Sequence, residues 1–152
     1  MGSEMCIRDS LLAVNLTGTF VCMQLAVADM VAEGWGRIVT ISSSSAQSGA
    51  PHMAHYVASK GGVIGLTKAF AREFAAQGIT VNTIPPTIVD TPMARKAGEK
   101  GDVPSIDVLG QMVPIGRAAV PDDIAATTAF LCSDDAAYIT GQIIGVNGGM
   151  YI

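Results

Sequence analysis

Two short β-branched runs, Arg37-Ile-Val-Thr-Ile-Ser42 and Ile79-Thr-Val-Asn-Thr-Ile84, bracket one long stretch of helical period, and this constrains the fold more than any other feature. Each run suits a strand buried on both faces. Between them Val63, Leu66, Phe70 and Phe74 recur at three- or four-residue spacing, which predicts a helix over roughly 54–77 with Gly78 as its C′ residue. Pro85 and Pro86 stop the second run, because proline cannot donate to a ladder. Residues 11–33 read as a helix closed by Gly34 and Gly36 around Trp35. A breaker-rich stretch, 87–120, has room for one or two short helices. Pro121-Asp-Asp123 then opens a helix to about Cys132, with carboxylates near the positive end of its dipole. Gln142-Ile-Ile-Gly-Val146 reads as a third strand before Asn147-Gly-Gly149. Strands alternating with helices imply parallel βαβ units, hence an α/β, doubly wound parallel sheet. Three strands make a small sheet for that plan, and the chain opens on a helix where such folds open on a strand.

Composition excludes several classes. At 49% hydrophobic and 14% charged the chain has ample apolar surface to order itself, and 152 residues allow one core. A net charge of −4 without a basic stripe argues against nucleic acid as a partner. Cys6, Cys22 and Cys132 are too scattered for a disulfide framework or a zinc site, and a cytoplasmic location follows. His52 and His55 have no third ligand in register, so no metal is expected. Residues 10–28 carry no charge, but Asn15, Thr17, Gly18, Thr19 and Gln24 interrupt them. A buried amphipathic helix is therefore expected and no membrane span. Residues 1–10 have neither helical nor strand period and are set aside as a non-native-looking or disordered leader, leaving 11–152 as the domain.

The chemistry gathers around Tyr56-Val-Ala-Ser-Lys60, a phenol and an ammonium one helical turn apart on one face. A nearby cation favours the phenolate, so Lys60 makes Tyr56 a candidate general acid/base. Ser43 stands just past the end of the first run, where open α/β sheets bind ligands. A hydroxyl there can donate to a carbonyl oxygen as charge builds on it. The run Ser42–Ser45 leaves the choice open by one position, with spacing favouring Ser43. No G-x-S-x-G elbow is present, which argues against a serine hydrolase.

These pieces together resemble the short-chain dehydrogenase/reductase family. The matching segments are Asn15-Leu-Thr-Gly-Thr-Phe20, Gly36-Arg-Ile-Val-Thr-Ile-Ser-Ser43, Tyr56-Val-Ala-Ser-Lys60, Gly78-Ile-Thr-Val-Asn82, Asp90-Thr-Pro-Met93 and Gly141-Gln142 through Val146-Asn-Gly-Gly149. In overall look the chain is most similar to members of the 3-oxoacyl-(acyl carrier protein) reductase kind. The resemblance implies a Rossmann-like sheet and hydride transfer between NAD or NADP and a carbonyl or secondary alcohol, such as a 3-oxoacyl thioester. It implies catalytic roles for Asn15, Ser43, Tyr56 and Lys60, with Asn15 supporting a water that relays protons to Lys60. Cofactor contacts would come from Tyr56, Lys60, Pro86, Val89 and Thr91. The helix after Tyr56 and residues 11–33 would form a subunit interface, giving a homodimer or homotetramer.

Thr87 stands where the family usually has glycine, so the nicotinamide pocket is expected to be shaped differently. No glycine-rich strand–turn–helix precedes Leu11, and Gly61, Gly62 and Gly65 fall inside a helix. The chain therefore reads as the C-terminal part of such a domain, lacking the pyrophosphate site. By itself it is expected to bind no dinucleotide and to be inactive, with one edge of the Ile38–Ile41 strand left open. The alternative is a non-catalytic fragment or interaction module that keeps the subunit interface.

Overall fold

A computed structural model describes residues 2–101 and 103–152. The first helix is one continuous rod in three parts: α1 (Gly2–Leu12), a π-helical turn (Ala13–Thr17) and α2 (Gly18–Glu33). Residues 2–10 of the segment set aside as a leader are thus helical, while residue 1 lies outside the described residues. An established helix adds each residue for one hydrogen bond, so its extension needs no amphipathic period of its own. Within Met5–Glu33 an 18-residue window reaches mean hydropathy 1.8, apolar enough to cross a membrane by length and composition. One stripe of it is docked on protein, through the buried side chains of Met23 and Val27. Gly34 ends α2 at φ 65°, its N–H returning to Met30 O and Val31 O.

Strand β1 (Gly36–Ile41) pairs in parallel with β2 (Ile79–Ile84), in register from Gly36 opposite Ile79 to Ile41 opposite Ile84. The connection between them holds the short α3 (Ser45–Ser48) and the long α4 (Ala54–Phe74), followed by a 3₁₀ turn to Gln77. Gly78 then turns at φ 78°, and a β-carbon there would lie 2.3 Å from the Gly34 carbonyl oxygen. These two glycines meet beneath the start of the sheet, where the Arg37 guanidinium donates to Gly36 O and Gly78 O.

Every residue of β2 is buried, as a strand covered on both faces requires. One face packs Ile79 and Val81 against Met23, Val27, Phe70 and Ala71. The Phe20 and Phe70 rings meet edge to face at 6.1 Å within this layer. A second cluster joins Ile84 to Leu131 and Ala136, with Val39, Ile124, Ile139, Ile144 and Val146 around them. Helices therefore cover both sides of the sheet, which is the doubly wound α/β plan.

The third strand is smaller than its sequence indicates. Residues 142–146 contribute one isolated parallel bridge, Thr83 to Ile143, in place of a full strand. The reason is the buried Asn82 side chain. Its amide nitrogen donates to Ile139 O at 2.7 Å and its oxygen accepts from Gln142 N at 3.0 Å. The Thr140 hydroxyl accepts from Val81 N at 3.0 Å, and Gly141 turns at φ 72°. Side chains thus take the Val81 and Gln142 N–H groups that a second bridge would use, while Gly141, Gln142 and Ile144 bond Val81 and Thr83 through the backbone.

The breaker-rich stretch holds α5 (Pro92–Glu99) and α6 (Ile106–Gln111), capped by the Thr91 and Ser105 hydroxyls. Helix α7 (Pro121–Leu131) begins at an ion pair. Asp123 accepts from Arg117 at 2.6 Å and from Val120 N at 2.8 Å, and these donors hold its carboxyl down to about 2.

Candidate active site

The carboxyl ends of β1 and β2 lie side by side, joined by Ser42 N to Ile84 O at 2.9 Å. Just beyond, Ser44 N donates to Pro86 O at 3.0 Å, drawing the serine loop onto the segment after β2. This is the edge where α/β sheets take ligands. The structure sorts the serine run by partner. Ser42 is 3% exposed and spends its hydroxyl on Lys60 O at 2.9 Å, inside α4. Ser44 is also buried. Ser43 stays half-buried, its hydroxyl 2.8 Å from that of Ser45.

Helix α4 begins at Ala54, so Tyr56 and Lys60 occupy consecutive turns of its first stretch. The Lys60 ammonium sits 6.0 Å from the Tyr56 ring centroid and donates to Ile41 O at 3.0 Å. It thereby bridges α4 to the last residue of β1. Burial pushes the Lys60 ammonium below the usual lysine range. The unfolded chain therefore binds more protons than the folded one between the depressed value and the ordinary lysine value of 10.5. Folding stability should rise with pH through that window. Urea midpoints measured from neutral pH to pH ~10 should climb in the parent chain. Lys60→Met should flatten that climb; an equal climb in both would assign it to other groups.

Asn15 lies in the π-helical turn, the kind of helix defect that recurs at functional positions. Its amide nitrogen reaches the Ser59 hydroxyl on α4 at 3.2 Å. Thr91 sits at the start of α5, its hydroxyl accepting from Ala94 N at 3.2 Å. Val89 forms a parallel bridge to Ala119, whose N–H and C=O bond Ile88 O and Asp90 N. Parallel geometry turns Val89's own N–H and C=O away from Ala119. Thr87 holds no left-handed conformation, since His52 at φ 61° is the one non-glycine residue with positive φ among the described residues. The turn after β2 therefore runs without the backbone freedom glycine would give.

Two residues take roles that the sequence did not give them, Ser42 and Ser59, both pinning α4 by hydroxyl bonds. Ser59 has a local signal, the bond of a helical serine to the carbonyl three residues back. Ser42 has none, because its partner is eighteen residues away. His52 is exposed and His55 half-buried. Among the described residues no group of three His, Cys, Asp or Glu side chains is arranged to hold a metal ion.

A family profile described as Enoyl-(Acyl carrier protein) reductase matches residues 7–151. The 3-oxoacyl-(acyl-carrier-protein) reductase of Rickettsia conorii is 43% identical over 142 residues, covering 93% of this chain and 57% of the relative. That of Staphylococcus aureus is 45% identical over 147 residues, with 95% and 57% covered. Among solved structures, ElxO with NADP bound aligns at TM-score 0.81 and 36% identity, over 89% of this chain and 54% of that one. Levodione reductase aligns at TM-score 0.86 and 32% identity, over 93% and 57%. The chain thus spans a little over half the length of the proteins it matches. By motif order, fold and profile alike, it belongs to the short-chain dehydrogenase/reductase family.

Proposed function

We propose that the chain carries the catalytic part of an NADP-dependent oxidoreductase that reduces the carbonyl of a 3-oxoacyl thioester. One observation carries this reading: Tyr56 and Lys60 share a face of α4 at the carboxyl end of β1, with the ammonium reaching Ile41 O. The Tyr56 phenol gives a proton to the substrate oxygen during reduction and takes it back in the reverse direction. Lys60 favours the phenolate through its charge and retains further N–H donors for a ribose hydroxyl. Ser43 donates to the same substrate oxygen, while Asn15 supports the proton path to Lys60.

NADPH, when bound, supplies the hydride. The chain offers a fitting surface for the nicotinamide end, because among the described residues Val89's own N–H and C=O have no backbone partner and can pair with a carboxamide. Thr91 and Pro86 flank that peptide. Nothing among residues 11–152 supplies a glycine-rich turn for the pyrophosphate, so this chain is proposed to need a dinucleotide-binding half for turnover. NADP is favoured by the ligands named for the ElxO structures. The profile description and the relatives' names differ in the bond reduced. Hydroxyls placed to protonate oxygen suit a C=O better than a C=C.

An apolar groove between the first helix and α4, lined by Leu16, Phe20, Gly62, Gly65, Leu66 and Ala69, supports a homo-oligomer built on these helices. A cytoplasmic location accords with the free cysteines. The test joins the chain to the glycine-rich half that the family resemblance puts ahead of it and follows NADPH absorbance with acetoacetyl-coenzyme A. Thioester-dependent loss of NADPH is expected. No oxidation with any 3-oxoacyl thioester or ketone would overturn the reading. The 152-residue chain itself should give no saturable nicotinamide fluorescence change at micromolar NADPH.

A further inference from the structure

Ser42 is 3% exposed, so its hydroxyl is shut off from any ligand at the carboxyl end of the sheet. It is nevertheless fully engaged. Its N–H donates to Ile84 O of β2 at 2.9 Å, and its hydroxyl donates to Lys60 O of α4 at 2.9 Å. The Lys60 carbonyl lies well inside α4 and serves the helix ladder, so the hydroxyl takes its second lone pair. No local pattern calls for this bond, which spans eighteen residues.

Ile41, the preceding residue, holds the other end of the same lysine. Its carbonyl oxygen accepts from the Lys60 ammonium at 3.0 Å. In a parallel ladder alternate residues turn their peptide groups to opposite edges. Ser42 N bonds Ile84 O, so the Ile41 carbonyl faces the far edge of β1, where no strand is paired among the described residues. The ammonium thus meets a carbonyl that the sheet leaves unserved. Lys60 is gripped at both ends, its backbone by one residue and its ammonium by the neighbour. The covalent link from Ile41 to Ser42 and the lysine side chain close these two hydrogen bonds into one ring.

We infer that Ser42 is a positioning residue: its hydroxyl fixes the Lys60 backbone over the end of β1 and so holds the ammonium on Ile41 O, 6.0 Å from the Tyr56 ring centroid. A lysine side chain has many rotamers to lose, and fixing where it begins reduces the number that must be lost to reach Ile41 O. The inference rests on the proposed function for what the held ammonium does, and deepens it by dividing the serine run. Ser43, half-buried, is left for the substrate oxygen, while Ser42 works inward on the lysine.

The test uses the 152-residue chain with Ser42→Ala, Lys60→Met and the double variant. The first reading is the NMR separation of the paired protons on the Lys60 ε-carbon, which a fixed side chain makes inequivalent and free rotation averages. Lys68, exposed and further along α4, is the internal reference. In the parent the Lys60 pair should be resolved and the Lys68 pair merged. Ser42→Ala should reduce the Lys60 separation by about half or more and leave Lys68 as it was. The second reading is the urea midpoint. Each bond of a closed ring supports the other, so Ser42→Ala should shift the midpoint of the Lys60→Met chain by about half its shift in the parent. Equal shifts would make the hydroxyl a plain tether of α4 and overturn the inference, as would an unchanged Lys60 separation in Ser42→Ala. If Ser42→Ala does not fold, Ser42→Cys replaces it, keeping the side chain's size with a much weaker donor, and the same readings decide. Neither reading needs cofactor or turnover. A joined enzyme that reduces nothing while the ring is intact would sink the proposed function and leave this link standing.

Discussion

Tyr56→Phe, in the chain joined to a dinucleotide-binding half, is expected to lower turnover by about 10²–10⁴-fold while NADPH affinity stays similar. The substitution removes one hydroxyl and keeps the ring that lies beside the Lys60 ammonium at 6.0 Å, so the helix face and its packing survive. What disappears is the group proposed to exchange a proton with the substrate oxygen. Steady-state rates give the first quantity and nicotinamide fluorescence titration the second. A variant retaining activity within about tenfold of the parent would remove Tyr56 from the mechanism. A parallel loss of cofactor affinity would make its role one of binding.

The largest effect on stability is expected at Gly78. Alanine there meets two penalties at once. The backbone stands at φ 78°, where an L-residue costs roughly 1–2 kcal/mol, and its β-carbon would lie 2.3 Å from the Gly34 carbonyl oxygen. A β-carbon has no rotamer and its opponent is backbone, so the Gly34–Trp35 turn must move away from the sheet. A loss of about 3 kcal/mol or more is expected, a large part of the stability of an ordinary domain. Gly61→Ala provides the contrast. Nothing lies within 4 Å of its added β-carbon and the residue is helical, so a gain of up to about 1 kcal/mol is expected. Urea unfolding of the two variants checks both; similar midpoints would mean that the Gly34–Gly78 contact yields easily.

The sheet and its two covering layers were legible because β-branched runs and helical stripes report burial directly. Ile79–Ile84 reads as doubly buried and is so at every position. Gly34 and Gly78 read as helix ends because left-handed residues there favour glycine, and both adopt that conformation. The segment 142–146 misled because its apolar letters indicate burial, and it is indeed packed against Leu131 and Val39. Burial, however, does not say whether backbone or side chain closes the edge. That depended on Asn82, an interior polar residue whose partners lie some sixty positions on. Residues 2–10 show no period of their own, since a helix carried outward from an established one need leave none to read.

For the candidate site, Tyr56 and Lys60 were legible because their spacing is helical and local. The sorting of Ser42 from Ser43 was not, since it turns on which hydroxyl meets Lys60 O across the sheet. Ser59 was passed over for the same reason: its second partner belongs to another helix.

The Asn82 carboxamide has one more consequence. Because it clasps Ile139 and Gln142, it pins the register in which the backbone of Gly141, Gln142 and Ile144 meets Val81 and Thr83. Without that clasp, the backbone bonds of Gly141, Gln142 and Ile144 to Val81 and Thr83 would have to hold the stretch, while the two paired strands keep all their rungs. Local opening of this stretch would then cost less than opening of the paired strands.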